Sequence, residues 1–432
     1  MIGLFNVIFT LLVLLIAYWW ANQGLFSSMM HCFCVVIAGA ISLAFWEPIV
    51  LEYCITGSTF DNYAWGMVLG GLFFVCLLVL RLVADAFVPF DIPLPSHINT
   101  IGGGIFGFIA GVIALGMASI ACGFTQGPTE LMGFMGWARG SDSRGAPMQF
   151  HKQWIPAAEL TEDFYRYLSL GAFAPSGKST FATHSPQLAE TALSLHRDTF
   201  RNGDGRTAIS PQDVSVGELM FDSNFQAEDD STSGAYAIAV TVSTGAFDNG
   251  EQFMLSCAQT KLANTERTPK VAYPTRFNQP SGSGDRETFS FDDIGNYATS
   301  VPGEQSVKLI LVFPATVFEG KSPPSLFFLK GLRYTLPAAT ETSFAELLSN
   351  GEETIVEQDD TGPEGGFLPD VSIFLSVRNS IRPVEINVNL ADTMKVATND
   401  AGNFLSGGKG VYKKGSQIQI SRSQRVSGFS HP

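Results

Sequence analysis

One glycine-rich segment has the residue types of a phosphate-binding loop. Gly171 is followed by a Gly-Lys-Ser-Thr sequence at 177–180, and in a phosphate loop backbone amides and a lysine cradle the phosphates. Five residues separate the two glycines, whereas the motif requires four, and Pro175 interrupts the loop. We therefore interpret the segment as a turn and predict no nucleotide-binding residues.

A second segment, at 202–206, has the Asn-Gly-Asp-Gly-Arg pattern of the centre of a calcium loop. Phe200 occupies its first ligand position, and no carboxylate falls at the twelfth. His151, His184 and His196 are too widely spaced for a helical or hairpin metal motif, and no Gly-x-Ser-x-Gly nucleophile elbow occurs. The sequence predicts no metal ligands, no cofactor and no catalytic residues, hence a protein that is not an enzyme.

The charge of the chain argues against one broad class of partner. Its formal net charge is −14 at pH 7. Because nucleic-acid binding depends mainly on Lys and Arg that neutralise phosphates, we predict no nucleic-acid partner. Five of the six cysteines lie in or beside apolar sequence, so no disulfide is expected within the polar region.

The elements that must position any site begin with four long apolar runs. They span 2–21, 28–46, 63–88 and 98–124. A bilayer core about 30 Å thick needs about 20 residues of helix, and inside lipid the backbone must satisfy its own hydrogen bonds. We predict four transmembrane helices in a lipid bilayer. The first run lacks a basic n-region and a small-residue cleavage site, so we expect it to remain as a helix.

Glycines at helical spacing mark two of these runs. Gly103, Gly107 and Gly111 form one stripe on the fourth run, and Gly66 and Gly70 have the same spacing on the third. Small residues four apart let helix backbones approach closely. We predict packing within the chain, with a homo-oligomeric seam or a pore-lining face as the alternatives.

Arg81 and Asp85 are one helical turn apart in an otherwise apolar stretch. Charges inside a membrane segment are costly and usually have a partner. We predict that the third helix ends near Leu80 and that the pair lies at the membrane interface. The alternative is a functional polar pair that faces the bundle.

The positive-inside rule has few charges to count. The loop between the second and third runs has three acidic residues and no Lys or Arg, whereas Arg81 flanks the next loop. The position of Arg81 predicts that the loop between the third and fourth runs lies in the cytoplasm and that both termini lie outside. Arg139, Arg144 and Lys152 follow the fourth run and favour the opposite orientation. On balance we predict an extracytoplasmic C-terminal region.

A short glycine-containing loop at 21–26 and a glycine-rich opening of the fourth helix at 99–107 add to this four-helix pattern. In these features residues 1–125 resemble the colicin V production protein (CvpA) family. Members usually carry Arg near the loop glycine and before the glycine-rich helix, whereas this chain has Gln23, Leu25 and Thr100 in these places. The resemblance implies a multi-pass protein of the bacterial cytoplasmic (inner) membrane, linked to toxin (colicin V) production or export and to the cell envelope. It transfers no catalytic residues.

The remainder of the chain is more polar and strand-prone. Residues 127–231 are predicted as a connector with one amphipathic helix at 157–170. Short β-rich runs bounded by turn residues occur at 236–242, 252–255, 307–313 and 325–329. They favour a β-sandwich over 232–337, and residues 311–334 resemble the closing hairpin of bacterial extracytoplasmic immunoglobulin-like domains.

The last two segments differ in charge. Residues 338–370 contain nine acidic side chains and no Lys or Arg, which predicts an acidic linker, and 371–432 form a basic, partly β segment. The predicted fold class is therefore multidomain: a CvpA-like four-helix membrane bundle over 1–126, followed by a mainly-β, immunoglobulin-like sandwich.

This architecture predicts a non-enzymatic membrane protein that displays a β-sandwich interaction domain to another envelope protein. The alternative is a small oligomeric channel or export accessory, in which the glycines of the fourth helix and the Arg81/Asp85 pair line the path. An enzyme would require a site that the sequence does not reveal.

Overall fold

The computed structural model describes residues 2–344 with gaps, together with 403–405 and 411–413. The gaps are 57, 59, 89–94, 126–130, 133, 135, 140–146, 150, 175–179, 196–205, 226–233, 248–251, 282–285 and 292–295. The chain divides into two compact units, Met1–Pro369 and Asp370–Pro432. Several sequence predictions lie outside the described residues: the motif residues 177–179 and 202–205, His196, the linker from 345 onward and most of the C-terminal segment.

Four long helices form the N-terminal region, as hydropathy predicts. They are α1 (Ile2–Gln23), α2 (Leu25–Ile49), α3 (Asp61–Phe87) and α4 (Ser96–Gly123), and α2 continues into a π-helical turn, Val50–Cys54. All four are long and apolar enough to cross a membrane. Most apolar side chains of α1 and α3 are exposed, whereas α2 and α4 are half buried at the centre of the bundle.

Glycines allow α4 to approach its neighbours closely. Gly103, Gly107 and Gly111 face α1, and a Cβ added at Gly107 would lie 2.6 Å from a tryptophan Cβ of that helix. Gly66 and Gly70 of α3 face α4 near its C-terminal end. Close backbone approach increases van der Waals contact, which is a main attraction between helices in lipid.

In the part of the chain that the structure describes, three short α-helices follow the bundle. They are α5 (Ala157–Ser169), α6 (Phe181–His184) and α7 (Leu188–Ser194). α5 is the amphipathic helix that the sequence predicts, and its buried face packs against α4. The segment predicted as a connector therefore contributes helices that pack on the bundle.

The strands form open sheets. In chain order they are β1 (Trp137–Arg139), β2 (Pro147–Gln149), β3 (Val214–Asp222), β4 (Ala235–Ser243), β5 (Met254–Leu255), β6 (Thr260–Ala263), β7 (Val271–Ala272), β8 (Arg276–Pro280), β9 (Arg286–Ser290), β10 (Ala298–Thr299), β11 (Ser306–Pro314), β12 (Leu326–Leu329), β13 (Leu332–Thr335) and β14 (Thr340–Glu341). A six-stranded sheet has the order β14-β3-β4-β11-β8-β9, and a four-stranded sheet has the order β13-β12-β6-β7. In the second unit, β15 (Asn403–Leu405) pairs with β16 (Val411–Lys413).

One hydrophobic cluster contains side chains from both larger sheets. The rings of Phe313 on β11 and Phe327 on β12 meet in it with centroids 6.3 Å apart. Ile310 and Val312 face the other side of β11, where Phe344 covers them. Both faces of β11 are therefore buried, which explains its continuous apolar sequence.

The β-rich runs predicted from the sequence coincide with β4, β5, β11 and β12. In contrast, β3 lies within the predicted connector and pairs with β4. The register of β3 shifts between Val216 and Leu219. Such a bulge interrupts the alternation of apolar and polar residues by which a strand is recognised in a sequence. Because β3 belongs to the six-stranded sheet, this sheet begins before residue 232.

Candidate functional site

The turn of the β12/β13 hairpin lies against α3. Leu329 pairs with Leu332, so the turn consists of Lys330 and Gly331, whose φ angles are 45° and 85°. Two positive φ values are typical of a type I′ turn, which matches the twist of the strands and favours glycine. A Cβ added at Gly331 would lie 3.0 Å from the indole ring of Trp65, so the turn packs directly on the bundle.

Three polar side chains from separate elements meet beside this turn. They are Glu47 near the end of α2, His184 at the end of α6 and Arg333 on β13, and all three are buried. Nε2 of His184 lies 3.0 Å from Oε2 of Glu47, and Nη2 of Arg333 lies 3.6 Å from Oε1. Nη1 of Arg333 also contacts the imidazole, including Nδ1. A proton on Nε2 satisfies these contacts, because His184 then donates to Glu47 and accepts from Arg333.

Burial sets the charge state of this cluster. It lowers the pKa of His184 to about 4, against the opposing effect of the Glu47 carboxylate, so His184 is neutral near pH 7. Burial also lowers the pKa of Arg333, which Glu47 counteracts, but a guanidinium stays charged at neutral pH. A neutral imidazole between a carboxylate and a guanidinium gives the cluster no net charge, which limits the penalty of burying it.

A second ion pair lies at the start of α3, where Asp61 is fully buried and Arg206 is half-buried. Nη2 of Arg206 donates to Oδ2 of Asp61 at 3.2 Å, and Nζ of Lys330 donates to the carbonyl oxygen of Arg206 at 2.6 Å. The side-chain oxygen of Asn62 accepts the backbone N–H of the residue after Arg206 at 3.0 Å. Both carboxylates, Glu47 and Asp61, thus join the ends of two membrane-type helices to later parts of the chain.

Lys261, Phe328 and Arg333 form a row across the four-stranded sheet. Phe328 pairs with Lys261 on β6 and with Arg333 on β13, and directly opposed residues share one face. Nζ of Lys261 donates to the carbonyl oxygen of Pro186 at 2.6 Å and to Oγ1 of Thr191 at 2.5 Å. Together with the contact of Arg333 to α6, this row binds the α6–α7 segment to the sheet.

Two carboxyl groups lie around Lys261: Glu162 is buried and Glu190 is half-buried. Oε2 of Glu162 accepts the backbone N–H of Ala189 at 2.9 Å, and Oε1 of Glu190 accepts the hydroxyl of Tyr273 at 2.5 Å. Burial raises the pKa of both carboxyl groups and lowers the pKa of Lys261 to about 8. Their mutual attraction opposes these shifts, so the lysine and the carboxyl groups stabilise each other's charged forms.

A cavity of about 50 Å³ lies among these groups. Its lining includes Trp65, His184, Lys261 and Arg333. One buried water needs about 10–15 Å³, whereas pockets for drug-sized ligands measure about 300–1,000 Å³. The cavity therefore has room for a few waters. We use the name polar joint for Glu47, His184, Lys261 and Arg333 together with the Asp61/Arg206 pair.

The Arg81/Asp85 pair lies at the other end of the bundle from the polar joint. α3 continues beyond both residues, so the prediction that it ends near Leu80 is wrong. Nη2 of Arg81 is 2.8 Å from Oδ1 of Asp85 and donates to Oγ of Ser27 at 3.1 Å, and the guanidinium lies 5.3 Å from the ring centroid of Trp20. These contacts compensate the two charges and allow the helix to continue.

The structure does not bring the other candidate residues into one site. Gly66, Gly70, Gly103, Gly107 and Gly111 lie between helices of the bundle and outside the polar joint. Within the described ranges, no group of three or more His, Cys, Asp or Glu side chains is placed to hold a metal ion.

Sequence reasoning did not identify the polar joint as a group. Glu47 and Asp61 appear in the sequence only as acidic charges beside apolar runs, and Arg333 only as part of a hairpin. A charge beside a membrane segment signals that a partner exists. It does not identify a partner such as His184, which is 137 residues from Glu47 along the chain.

Comparison with known proteins finds no matching family model, no matching curated protein and no matching solved structure.

Proposed function

We propose that this chain is a non-enzymatic integral membrane protein of the CvpA type, in which four helices anchor a β region (residues 206–344) that binds another envelope protein. The observation that carries the proposal is the polar joint. Its two ion pairs, Glu47/Arg333 and Asp61/Arg206, fix the β region to the ends of α2 and α3. A buried polar network of this kind holds one relative orientation, because its partners lose their hydrogen bonds if the parts separate.

The β region is the part that is available to a partner. Its two larger sheets share one core, which is compatible with the immunoglobulin-like sandwich proposed from the sequence. Among the residues that the structure describes, β9 pairs only with β8, and we infer that this edge of the six-stranded sheet accepts an added strand. The glycine stripe of α4 faces α1, which favours an anchor over a channel lined by these glycines.

We place the chain in the bacterial inner membrane with the β region outside the cytoplasm, in a role linked to toxin production or export. A reporter that is active in only one compartment, fused to the C-terminus of the full chain, tests the orientation. An extracytoplasmic signal supports the proposal, and a cytoplasmic signal overturns the location of the partner.

Partner binding is tested with a photo-crosslinking residue at Phe289, which is exposed on β9. We expect a discrete adduct with one envelope protein in living cells. The matched control places the same residue at Phe74, which is exposed on α3. An adduct at both sites, or at neither, would contradict recognition by the β region.

A further inference from the structure

α5 lies beside the bundle, not beyond its end. The hydroxyl of Tyr165 donates to the carbonyl oxygen of Val36 in α2 at 3.1 Å. A Cβ added at Gly116 of α4 would overlap Thr161 of α5. The first residue of α5, Ala157, packs in a small cluster with apolar residues of α1 and α4. All these partners are within the helices that are long and apolar enough to span a membrane.

The charged contacts at the two ends of the bundle define its height. Ser27 and Glu47 on α2 are separated by 20 residues, and so are Asp61 and Arg81 on α3. At about 1.5 Å per residue, both intervals are about 30 Å, which matches a bilayer core. Val36, which contacts α5, is about 16 Å along α2 from Glu47 by the same rise. α5 therefore lies at a height between the two charged levels.

We infer that α5 is a non-spanning membrane helix whose outward face contacts lipid. Its outward side and flanks expose four large apolar or aromatic side chains: Trp154, Leu160, Tyr167 and Phe173. Tyr167 is 75% exposed on α5, a helix that packs against α4. Tyr and Trp are the residues that favour the boundary between hydrocarbon and headgroups. The inference rests on the membrane location of α1–α4 and not on the partner of the β region.

The charges of α5 are compatible with this position. Asp163 and Arg166 are in contact as an ion pair, and Arg166 also lies 3.9 Å from Glu162. Pairing limits the cost of charge near lipid, and the long arginine side chain can extend toward the headgroups. Glu162 faces inward, where the backbone N–H of Ala189 donates to it.

Photo-crosslinking to lipid tests the inference on the full chain. The residues Tyr167, Phe74 and Phe289 are each replaced by p-benzoylphenylalanine, since all three are exposed aromatic side chains on α5, α3 and β9. The purified variants are reconstituted in phosphatidylcholine/phosphatidylglycerol vesicles, irradiated and analysed by intact mass. We expect lipid adducts at Tyr167 at a yield similar to Phe74 and several-fold above Phe289.

The two controls separate the outcomes. A yield at Tyr167 as low as at Phe289, with efficient crosslinking at Phe74, would place α5 in water and overturn the inference alone. A protein–protein adduct at Tyr167 would show that a second copy covers α5, which also overturns it. Failure at Phe74 as well would reject the membrane location of the bundle itself.

Discussion

The replacement of Arg333 by Met is expected to weaken the polar joint and so to lower the free energy of unfolding of the β region. The substitution keeps the aliphatic bulk of the side chain but removes the cation that lies 3.6 Å from Glu47. At an effective dielectric constant of about 20, two unit charges at this distance attract by about 5 kcal/mol. Desolvation offsets much of that attraction in the intact pair. Without Arg333 the Glu47 carboxylate remains buried beside a neutral imidazole, and removing one partner of a buried ion pair costs about 3–5 kcal/mol.

The assay is pulse proteolysis of the detergent-solubilised chain over a series of urea concentrations, which reports the free energy of unfolding of the β region. Lys321→Met is the matched control, because Lys321 is an exposed cation in the segment between β11 and β12. Surface substitutions of this kind usually change stability by less than about 0.5 kcal/mol. The double variant Glu47→Gln/Arg333→Met removes both charges and is expected to recover part of the loss.

Two results would refute the reasoning. One is a loss for Arg333→Met that equals the loss for Lys321→Met. The other is a double variant that loses the sum of the two single effects, since this would show that Glu47 and Arg333 contribute independently and not as a pair.

Three further predictions concern the joint and the bundle. The two predictions on the joint use the same unfolding assay, and the prediction on the bundle uses thermal unfolding of the helices in detergent, followed by far-ultraviolet circular dichroism. Burial holds the pKa of His184 near 4, below its usual 6.5. The contribution of the neutral imidazole to the free energy of unfolding is therefore fully present above pH 6.5 and is lost as the pH falls toward 4. Acidification from pH 7 to 5 should cost about 2 kcal/mol in the native chain and clearly less in His184→Gln; equal losses would contradict this. Gly331→Ala should be more destabilising than Gly303→Ala by about 1–3 kcal/mol. Both glycines have a positive φ, but only at Gly331 would the added Cβ meet the indole ring of Trp65. Similar losses would mean that the turn does not pack on Trp65. Gly107→Ala should destabilise the bundle by about 1–3 kcal/mol, whereas Gly71→Ala, with open space around it, should be neutral or stabilising; the reverse order would reject the packing of α4 on α1.

The sequence by itself determined the features that depend on residues close to one another along the chain. Long apolar runs specify helices that are able to span a membrane, because the length and hydropathy of one segment suffice for that choice. The 3.6-residue period at 157–170 specified α5, and short apolar runs between turn residues specified β4, β11 and β12. The bulged β3 escaped recognition, because its alternation is interrupted within the strand itself.

Only the tertiary structure decided which charges act together. Glu47 and Asp61 have the local sequence of solvated loop acids, yet both are buried against Arg333 and Arg206. Likewise, helical period shows that α5 has an apolar face but not that this face packs at mid-height on α2 and α4. The physical reason is the same in each case: burial and charge pairing depend on surfaces that meet only when segments distant in the chain fold together.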